Sequence, residues 1–475
     1  MIKANTLFPN QDFKITATSQ DSDKLRGGYY TPKKIADFLS KWSVRGNENR
    51  ILEPSCGDGQ FLGSLVAEHG NNVEITAVEI VKKEAVKASK KGNKKTRIIV
   101  SDVFKWYEEN LPDGKFDVVI GNPPFIRYQN FPDEYRSKAF ELMRKEGLSP
   151  TKLTNSWVPF VALATRALKK GGRLALVLPA ELLQVNYAKE IRRYLSTKYK
   201  NLVIVTFKFL VFPNIQQEVI LILGERGDNK KSSISLLEYE SLDDLEHSEL
   251  AAKIEQHRIL DINHDGEKWT QFYLTSEELD LIRLIESSGK FLRFGDVAEV
   301  DVGVVTGNNN FFILDHKKAL ELDVLKYCFP IVGRSNHLHG ILFNNSDYES
   351  RLSQGERMYL FNPGLLTKEQ LTSAAVDYIQ FGEDSGVVDG YKCKIRQPYW
   401  WNVPSTWTPD AFLLRQIHNA PKLTANLTKA ISTDTVHRVR LKDGISSNLL
   451  AIAFFNSLTF ALSEIRGRSY GGGLL

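Results

Sequence analysis

Residues 116–125 read Phe-Asp-Val-Val-Ile-Gly-Asn-Pro-Pro-Phe. The first five have the β-branched character of a strand. Gly121-Asn122-Pro123-Pro124-Phe125 closes it, because adjacent prolines cannot donate to a sheet ladder. The same pattern recurs on both sides. Residues 50–54, 73–80 and 96–103 read as strands that end at or beside Glu53, Glu79 and Asp102, with helical stretches at 60–69 and 84–91 between them. Downstream come a helix over 156–169 stopped by Gly171-Gly172, a strand over 173–178 and a helix over 187–199. A β-rich pair, 201–210 and 218–223, follows across a short Phe-Pro-Asn turn and is expected to be antiparallel. Strands alternating with helices predict an α/β fold with a doubly wound, mostly parallel sheet. Such sheets bind ligands at the carboxyl ends of their strands, and the unusual residues all sit at those ends.

Composition sets the bounds. A chain of 475 residues with 42% hydrophobic and 25% charged residues is a folded protein of two or more domains. It contains no run of eighteen apolar residues, so no membrane is expected as a partner. The start, MIKANTLFPNQDFKI, lacks a signal pattern, and three cysteines (Cys56, Cys328, Cys393) fit a reducing compartment. A cytoplasmic location is therefore expected. No Cys/His cluster has zinc spacing, and His337-Leu338-His339 lacks a third ligand, so no metal is expected.

Charge is distributed in blocks. Residues 1–230 hold 37 Lys/Arg against 25 Asp/Glu, residues 231–390 hold 14 against 28, and residues 391–475 hold 11 against 4. Two basic blocks around an acidic one point to two domains, expected at 1–240 and 241–475, and a basic surface suits a polyanion.

Gly57-Asp58-Gly59 follows the first strand and opens a helix, where glycine permits a tight turn and close approach to a ligand. Glu79 ends the next strand, where an acid can accept from ribose hydroxyls. Asp102 ends the third, placed to accept from an adenine amine. Glu53 suits either a strand-end ion pair or a cofactor contact. This spacing leaves a nicotinamide cofactor and S-adenosylmethionine both open, although Leu62 stands where a dinucleotide fingerprint has its third glycine.

At Asn122-Pro123-Pro124-Phe125 the prolines stiffen the loop and leave carbonyls as outward acceptors. With the Asn122 oxygen, they can receive both hydrogens of an amine. An aromatic amine is a poor nucleophile because its lone pair is delocalised. Holding both hydrogens out of plane restores that lone pair. Phe125 offers a face on which a planar base can stack, worth about 1–3 kcal/mol.

These elements occur in one order over residues 25–225: Tyr29-Tyr30-Thr31-Pro32, Leu52-Glu53-Pro54-Ser55-Cys56-Gly57-Asp58-Gly59, Glu79, Asp102, Asn122-Pro123-Pro124-Phe125, Gly171-Gly172-Arg173 with the strand to Pro179, and Val211-Phe212-Pro213. In that order the chain resembles the gamma-class N6-adenine DNA methyltransferases of the TaqI type. The resemblance implies a seven-stranded Rossmann-like methyltransferase sheet with a C-terminal α+β target recognition domain. It implies S-adenosylmethionine as cofactor, held by Thr31, Glu53, Gly57, Gly59, Glu79 and Asp102. It makes Asn122, Pro123 and Phe125 catalytic, and it stacks a flipped adenine of double-stranded DNA between Phe125 and Phe212. Tyrosine is commoner at position 125; phenylalanine still stacks but lacks the hydroxyl.

In the second half, Gly303-Val304-Val305-Thr306-Gly307-Asn308-Asn309-Asn310-Phe311-Phe312 reads as a turn between apolar strands. Tyr399-Trp400-Trp401 lies beside Lys392, Lys394 and Arg396, a mixture that suits stacking and phosphate contacts as well as an ordinary core. Ile331-Val332-Gly333-Arg334-Ser335 and Arg466-Gly467-Arg468-Ser469-Tyr470-Gly471-Gly472-Gly473 read as basic, glycine-bearing loops.

Two rival functions use the same residues. RNA and protein side-chain amide methyltransferases share the Asn-Pro-Pro-aromatic loop but usually lack a C-terminal domain this large. A non-catalytic DNA-specificity subunit would not need Asn122, Glu79 and Asp102 intact. Only about 25 residues precede the first motif, so a fused nuclease is not expected, which leaves room for a separate restriction endonuclease or specificity partner. The final Gly471-Gly472-Gly473-Leu474-Leu475 is compatible with a longer natural chain. If phosphate contacts dominate DNA affinity, log affinity should fall linearly and steeply with log salt in a binding titration; a flat response would remove the polyanion argument.

Overall fold

The computed structural model describes residues 31–46, 50–209, 211, 218–227, 233–260, 264–417 and 420–467, with the backbone of 469–470 and 473–474. Contacts divide the chain into Met1–Ser276 and Glu277–Leu475. The expected boundary at 240/241 falls inside the first unit, because the chain still adds a strand to that unit's sheet after residue 240.

The first unit is built on nine strands: β1 (Arg50–Glu53), β2 (Glu74–Glu79), β3 (Arg97–Val100), β4 (Phe116–Gly121), β5 (Leu168–Pro179), β6 (Tyr199–Phe207), β7 (Val219–Arg226), β8 (Ser233–Tyr239) and β9 (Arg258–Leu260). Their order is β3-β2-β1-β4-β5-β7-β6-β8-β9. β1 to β5 are mutually parallel where they pair. β7 runs antiparallel to both β5 and β6, as the short turn before it predicts. The seven expected strands are thus present, and β8 and β9 extend the edge beyond β6. In β8, Ser-Ile-Ser-Leu-Leu-Glu-Tyr, every residue except Glu238 is buried. A strand covered on both faces lacks the apolar–polar alternation that marks a strand in sequence.

Both faces of the sheet are covered. Ile51, Ile75, Val118, Ile120, Ala175 and Val177 share one core with Ile35 and Leu39 of α1 (Lys33–Ser43) and with Phe61, Leu62 and Leu65 of α2 (Gln60–His69). Alternate residues point the other way. Leu52, Val119, Leu174, Leu176 and Leu178 are equally buried, so the second face is closed as well. The remaining helices are α3 (Lys82–Ser89), α4 (Val103–Asn110), α5 (Asp133–Lys145), α6 (Trp157–Ala167), α7 (Glu181–Gln184), α8 (Lys189–Lys198) and α9 (Leu250–Gln256). α6 stops at Ala167, before the glycine pair. β5 starts at Leu168, pairs with Phe116, and resumes past an irregularity at Arg173 opposite Val118.

Arg192 of α8 is buried and donates only to carbonyls: Gly266 and Glu267 through Nε, Leu182 and Val185 through Nη1, and Gly266 again through Nη2. This guanidinium ties residues 266–267 and the turn after α7 to α8.

The second unit has a five-stranded sheet, β10 (Ala298–Asp301), β18 (Val436–Leu441), β15 (Ala411–Leu414), β16 (Leu423–Asn426) and β13 (Leu342–Phe343), in that order. A four-stranded sheet runs β11 (Ile313–Leu314), β14 (Tyr359–Phe361), β12 (Cys328–Val332), β17 (Ile431–Ser432). This is the expected α+β composition. The alternative left open for the aromatic cluster is resolved. Trp400 and Trp401 are buried with Phe311 and Tyr378 in a core cluster, so they are not a stacking surface for bases. The turn expected at 303–312 lies between β10 and β11, and within it Asn309–Phe312 forms a short helix capped by the Asn308 side chain. Arg396 donates to the carbonyls of Val305 and Thr306, and Arg357 to those of Ile313 and Asn309, so both flanks of this loop are pinned. His337 is buried with Nε2 3.4 Å from Glu356, while His339 is exposed. Arg466 pairs with Glu286.

Arg192→Met should cost the fold about 3 kcal/mol, because buried carbonyls lose a charged donor. Urea unfolding measures this; a loss below about 1 kcal/mol would show that the carbonyls find other donors.

Candidate active site

β1 ends at Glu53 and its loop enters α2 through Gly57 (φ +51°) and Gly59 (φ +85°), both in the left-handed region that favours glycine. A Cβ on Gly59 would stand 2.7 Å from the Ala88 Cα, so the bare backbone there lets α2 pack against α3. A Cβ on Gly57 would meet nothing within 4 Å, so the loop is open at that residue.

Four acids gather at the strand ends. Glu79 is buried, and its carboxylate accepts from Gly57 N–H at 2.9 Å and Val81 N–H at 2.8 Å. Asp102 caps α4 by accepting from Lys105 N–H at 2.9 Å. Asp58 pairs with Lys91 at 2.9 Å. Glu53 is fully buried, and its Oε2 has no hydrogen-bond partner among the described residues. Burial first, then the charges of Glu79 and Asp58, push its carboxyl well above the ordinary range. Burial also raises Glu79 and Asp102, against the N–H bonds they accept.

This donor set fits a cationic nucleoside. A pyrophosphate wants unsatisfied amides at a helix N-terminus. Here the Gly57 amide is already given to Glu79 and the surroundings are acidic. An ammonium or sulfonium would instead supply the charge that the orphaned Glu53 oxygen lacks. Glu79 and Asp102 keep lone pairs that can accept from hydroxyls or an amine.

The loop after β4 lies beside the glycine loop. Ser55 Oγ donates to the Asn122 carbonyl at 3.2 Å, and Asn122 Nδ2 donates to Thr31 Oγ1 at 3.2 Å. Thr31 thus orients the asparagine amide as well as flanking the site. Phe125 is half-buried against the core that holds Ile51 and Val118. The two proline carbonyls are not equivalent, contrary to the expectation that both stay open. The Ser156 hydroxyl donates to the Pro124 carbonyl. Pro123 O accepts no hydrogen bond among the described residues. Tyr29, Tyr30, Phe212 and Pro213 lie outside the described residues.

Ser156 is the residue that sequence reasoning missed. It stands at the N-cap position of α6 without capping it, where a serine ordinarily contributes about 1 kcal/mol. Thr154-Asn155-Ser156 carries the signal of a helix start, but nothing in it shows that the hydroxyl turns back to another loop. Asn155 beside it donates to Tyr187 OH at 2.9 Å and to Glu181 at 3.3 Å.

Two family models match this chain. The profile of the Eco57I restriction-modification methylase matches residues 59–212, and that of the C-terminal domain of the Type II methyltransferase M.Eco57I matches residues 266–475. Type II methyltransferase M.AccI of Acinetobacter calcoaceticus is 24% identical, over 94% of this chain and 82% of its own length. Type II methyltransferase M.HindII of Haemophilus influenzae is 23% identical, over 67% of this chain and 60% of its own length. Among solved structures, the type IIG restriction endonuclease BpuSI aligns with a TM-score of 0.49 at 15% identity, over 96% of this chain and 59% of that one.

Glu53→Gln should flatten the stability of the ligand-free protein against pH. The folded-state pKa of Glu53 lies above its ordinary 4.5, so the group favours the folded chain at acid pH. That contribution is lost as pH rises through the raised value. Denaturant unfolding from pH about 4.5 upward should show the wild type losing ground to the variant. Parallel curves would mean that Glu53 titrates normally.

Proposed function

Because the chain belongs to the Eco57I family of restriction-modification methylases, we propose that it methylates the exocyclic N6 amine of adenine within a specific double-stranded DNA sequence. It is a DNA methyltransferase by family, and its cofactor is S-adenosylmethionine. When bound, that cofactor supplies an electrophilic methyl group on a sulfonium that departs as a neutral thioether. Thr31, Glu53, Gly57, Gly59, Glu79 and Asp102 would hold it.

The observation that carries the reading is the asymmetric loop after β4. With Nδ2 held by Thr31, the Asn122 amide presents oxygen as its acceptor end. With Pro124 O taken by Ser156, Pro123 O is the proline carbonyl left to the substrate. Two acceptors match the two hydrogens of one amine. They would draw those hydrogens aside and leave the nitrogen lone pair to take the methyl group, whose former bonding pair the cofactor's sulfur would keep. The extra proton on nitrogen passes to water. Orientation and electrostatics supply the rate, with no covalent enzyme intermediate.

A further chemistry, methylation of a cytosine ring carbon, is disfavoured by the state of the three cysteines. Methylation of a cytosine ring carbon requires a thiolate. Burial raises the pKa of Cys56, of Cys328 (to about 12) and of Cys393.

The amine of a paired adenine is hidden in the stack, so the base leaves the duplex at a cost of a few kcal/mol. Phe125, with Phe212 on the other face, would offset part of that cost by stacking. The first unit carries the chemistry and the second reads the target. The large second unit favours DNA over an RNA or protein substrate. A separate endonuclease of matching specificity is the partner this role implies.

Purified protein, labelled cofactor and duplex DNA should yield N6-methyladenine by mass spectrometry of the digested DNA. Asn122→Ala should lower turnover by about 10²–10³, the scale of one lost transition-state contact. N4-methylcytosine as the product, label in RNA or protein instead, or near-normal turnover in the variant would overturn the reading.

A further inference from the structure

We propose that Ser156 is a positioning residue of the methyl-transfer reaction: it selects which of two adjacent proline carbonyls meets the target amine. The inference rests on the reading of this site as an amine methyltransferase, but not on which base carries the amine.

A loop with two consecutive prolines cannot brace itself with its own amides. Something outside it must fix the rotation of its peptide planes. Ser156 does this with three bonds to a short stretch. Its hydroxyl donates to the Pro124 carbonyl and accepts from Ile126 N–H at 2.8 Å, and its own N–H donates to the Ile126 carbonyl at 2.9 Å. The side chain is completely buried, so water does not substitute for these partners. A hydroxyl has one proton, and here it is committed to Pro124. That bond holds the Pro124 carbonyl toward α6 and leaves Pro123 as the proline acceptor for the substrate.

The clamp has a firm base. Asn155 donates from Nδ2 to Tyr187 OH at 2.9 Å and to Glu181 Oε2 at 3.3 Å, and Tyr187 OH donates to Glu181 in turn. Glu181 follows β5 directly, and Tyr187 lies in the turn before α8, with its ring 6.2 Å from that of Trp157. The first residues of α6 are thereby moored to the segment beyond β5, so the loop after β4 is aligned from the neighbouring strand. Loss of the hydroxyl leaves Pro124 free to rotate, and the pair of acceptors loses its alignment with the amine.

The test is single-turnover methyl transfer by the full-length protein, with cofactor and duplex affinities and melting temperature measured in parallel. Ser156→Ala should slow the transfer step about 10- to 100-fold, the scale of a misplaced reacting group, with both affinities within about twofold of wild type. Ser156→Thr, which keeps the hydroxyl, should recover most of the rate. Tyr187→Phe, which loosens the base and leaves the loop contacts in place, should slow transfer about 3- to 10-fold and serves as the test if Ser156→Ala does not fold. A folded Ser156→Ala or Tyr187→Phe protein that transfers at the wild-type rate would overturn the proposal. So would a rate loss fully matched by lost affinity. Product identity is read separately: a cytosine amine as product would sink the adenine assignment and leave the Ser156 comparison intact.

Discussion

In a sheet ordered β3-β2-β1-β4, successive crossovers diverge on either side of β1 and β4, and a crevice opens above their carboxyl ends. Every feature of the site follows from that reversal. The loop after β1 carries the glycines and the loop after β4 carries Asn122 and the prolines, so the two become neighbours without any contact having to create the proximity. The bond from Ser55 to the Asn122 carbonyl and the bond from Asn122 to Thr31 then lock loops that topology had already placed side by side. The polar contacts set angles; the sheet sets distances.

The same crevice illustrates how one backbone frame is turned from anion to cation binding. A glycine turn entering a helix offers amides to phosphate. Here Glu79 takes the Gly57 amide, and Glu53 is buried beside it with an oxygen that has no partner among the described residues. Spacing alone left a dinucleotide and a sulfonium nucleoside open. The bond from the Gly57 amide to Glu79, with the acids gathered around the loop, weighs toward the sulfonium nucleoside. Burying acids without counter-charges is costly, and the raised pKa of Glu53 expresses that cost. A cation bound beside Glu53 would offset it.

Much of this was legible in the sequence because the signals are local. Strand-end acids, Gly57 and Gly59, and the Asn-Pro-Pro-Phe run are short patterns whose meaning depends on neighbours within a few residues. The antiparallel pairing of β6 with β7 was readable from the length of the turn. What escaped detection depends on long-range partners. β8 passes unnoticed because a strand buried on both faces lacks alternation, and β9 is only three residues long. Ser156 looks like a helix cap, and only the fold shows that its hydroxyl points to a loop 30 residues earlier. The inequivalence of Pro123 and Pro124 has no sequence signature, since it depends on that hydroxyl.

The second unit shows why charge counts mislead in the opposite direction. Residues 391–475 carry 11 Lys/Arg against 4 Asp/Glu, which reads as a surface for a polyanion. Several of these cations are committed inward. Arg396 holds the carbonyls of Val305 and Thr306. Arg438 is buried against Asp301, the Val302 carbonyl and Ser405, with its guanidinium 4.3 Å from the Trp407 ring centroid. Arg440 stacks on the same ring at 4.4 Å but is exposed. Net charge measures composition, whereas a phosphate meets only cations whose hydrogen-bonding capacity has not been used by the fold. By that criterion Arg440, exposed over an aromatic face, keeps donors that the pinned arginines have spent.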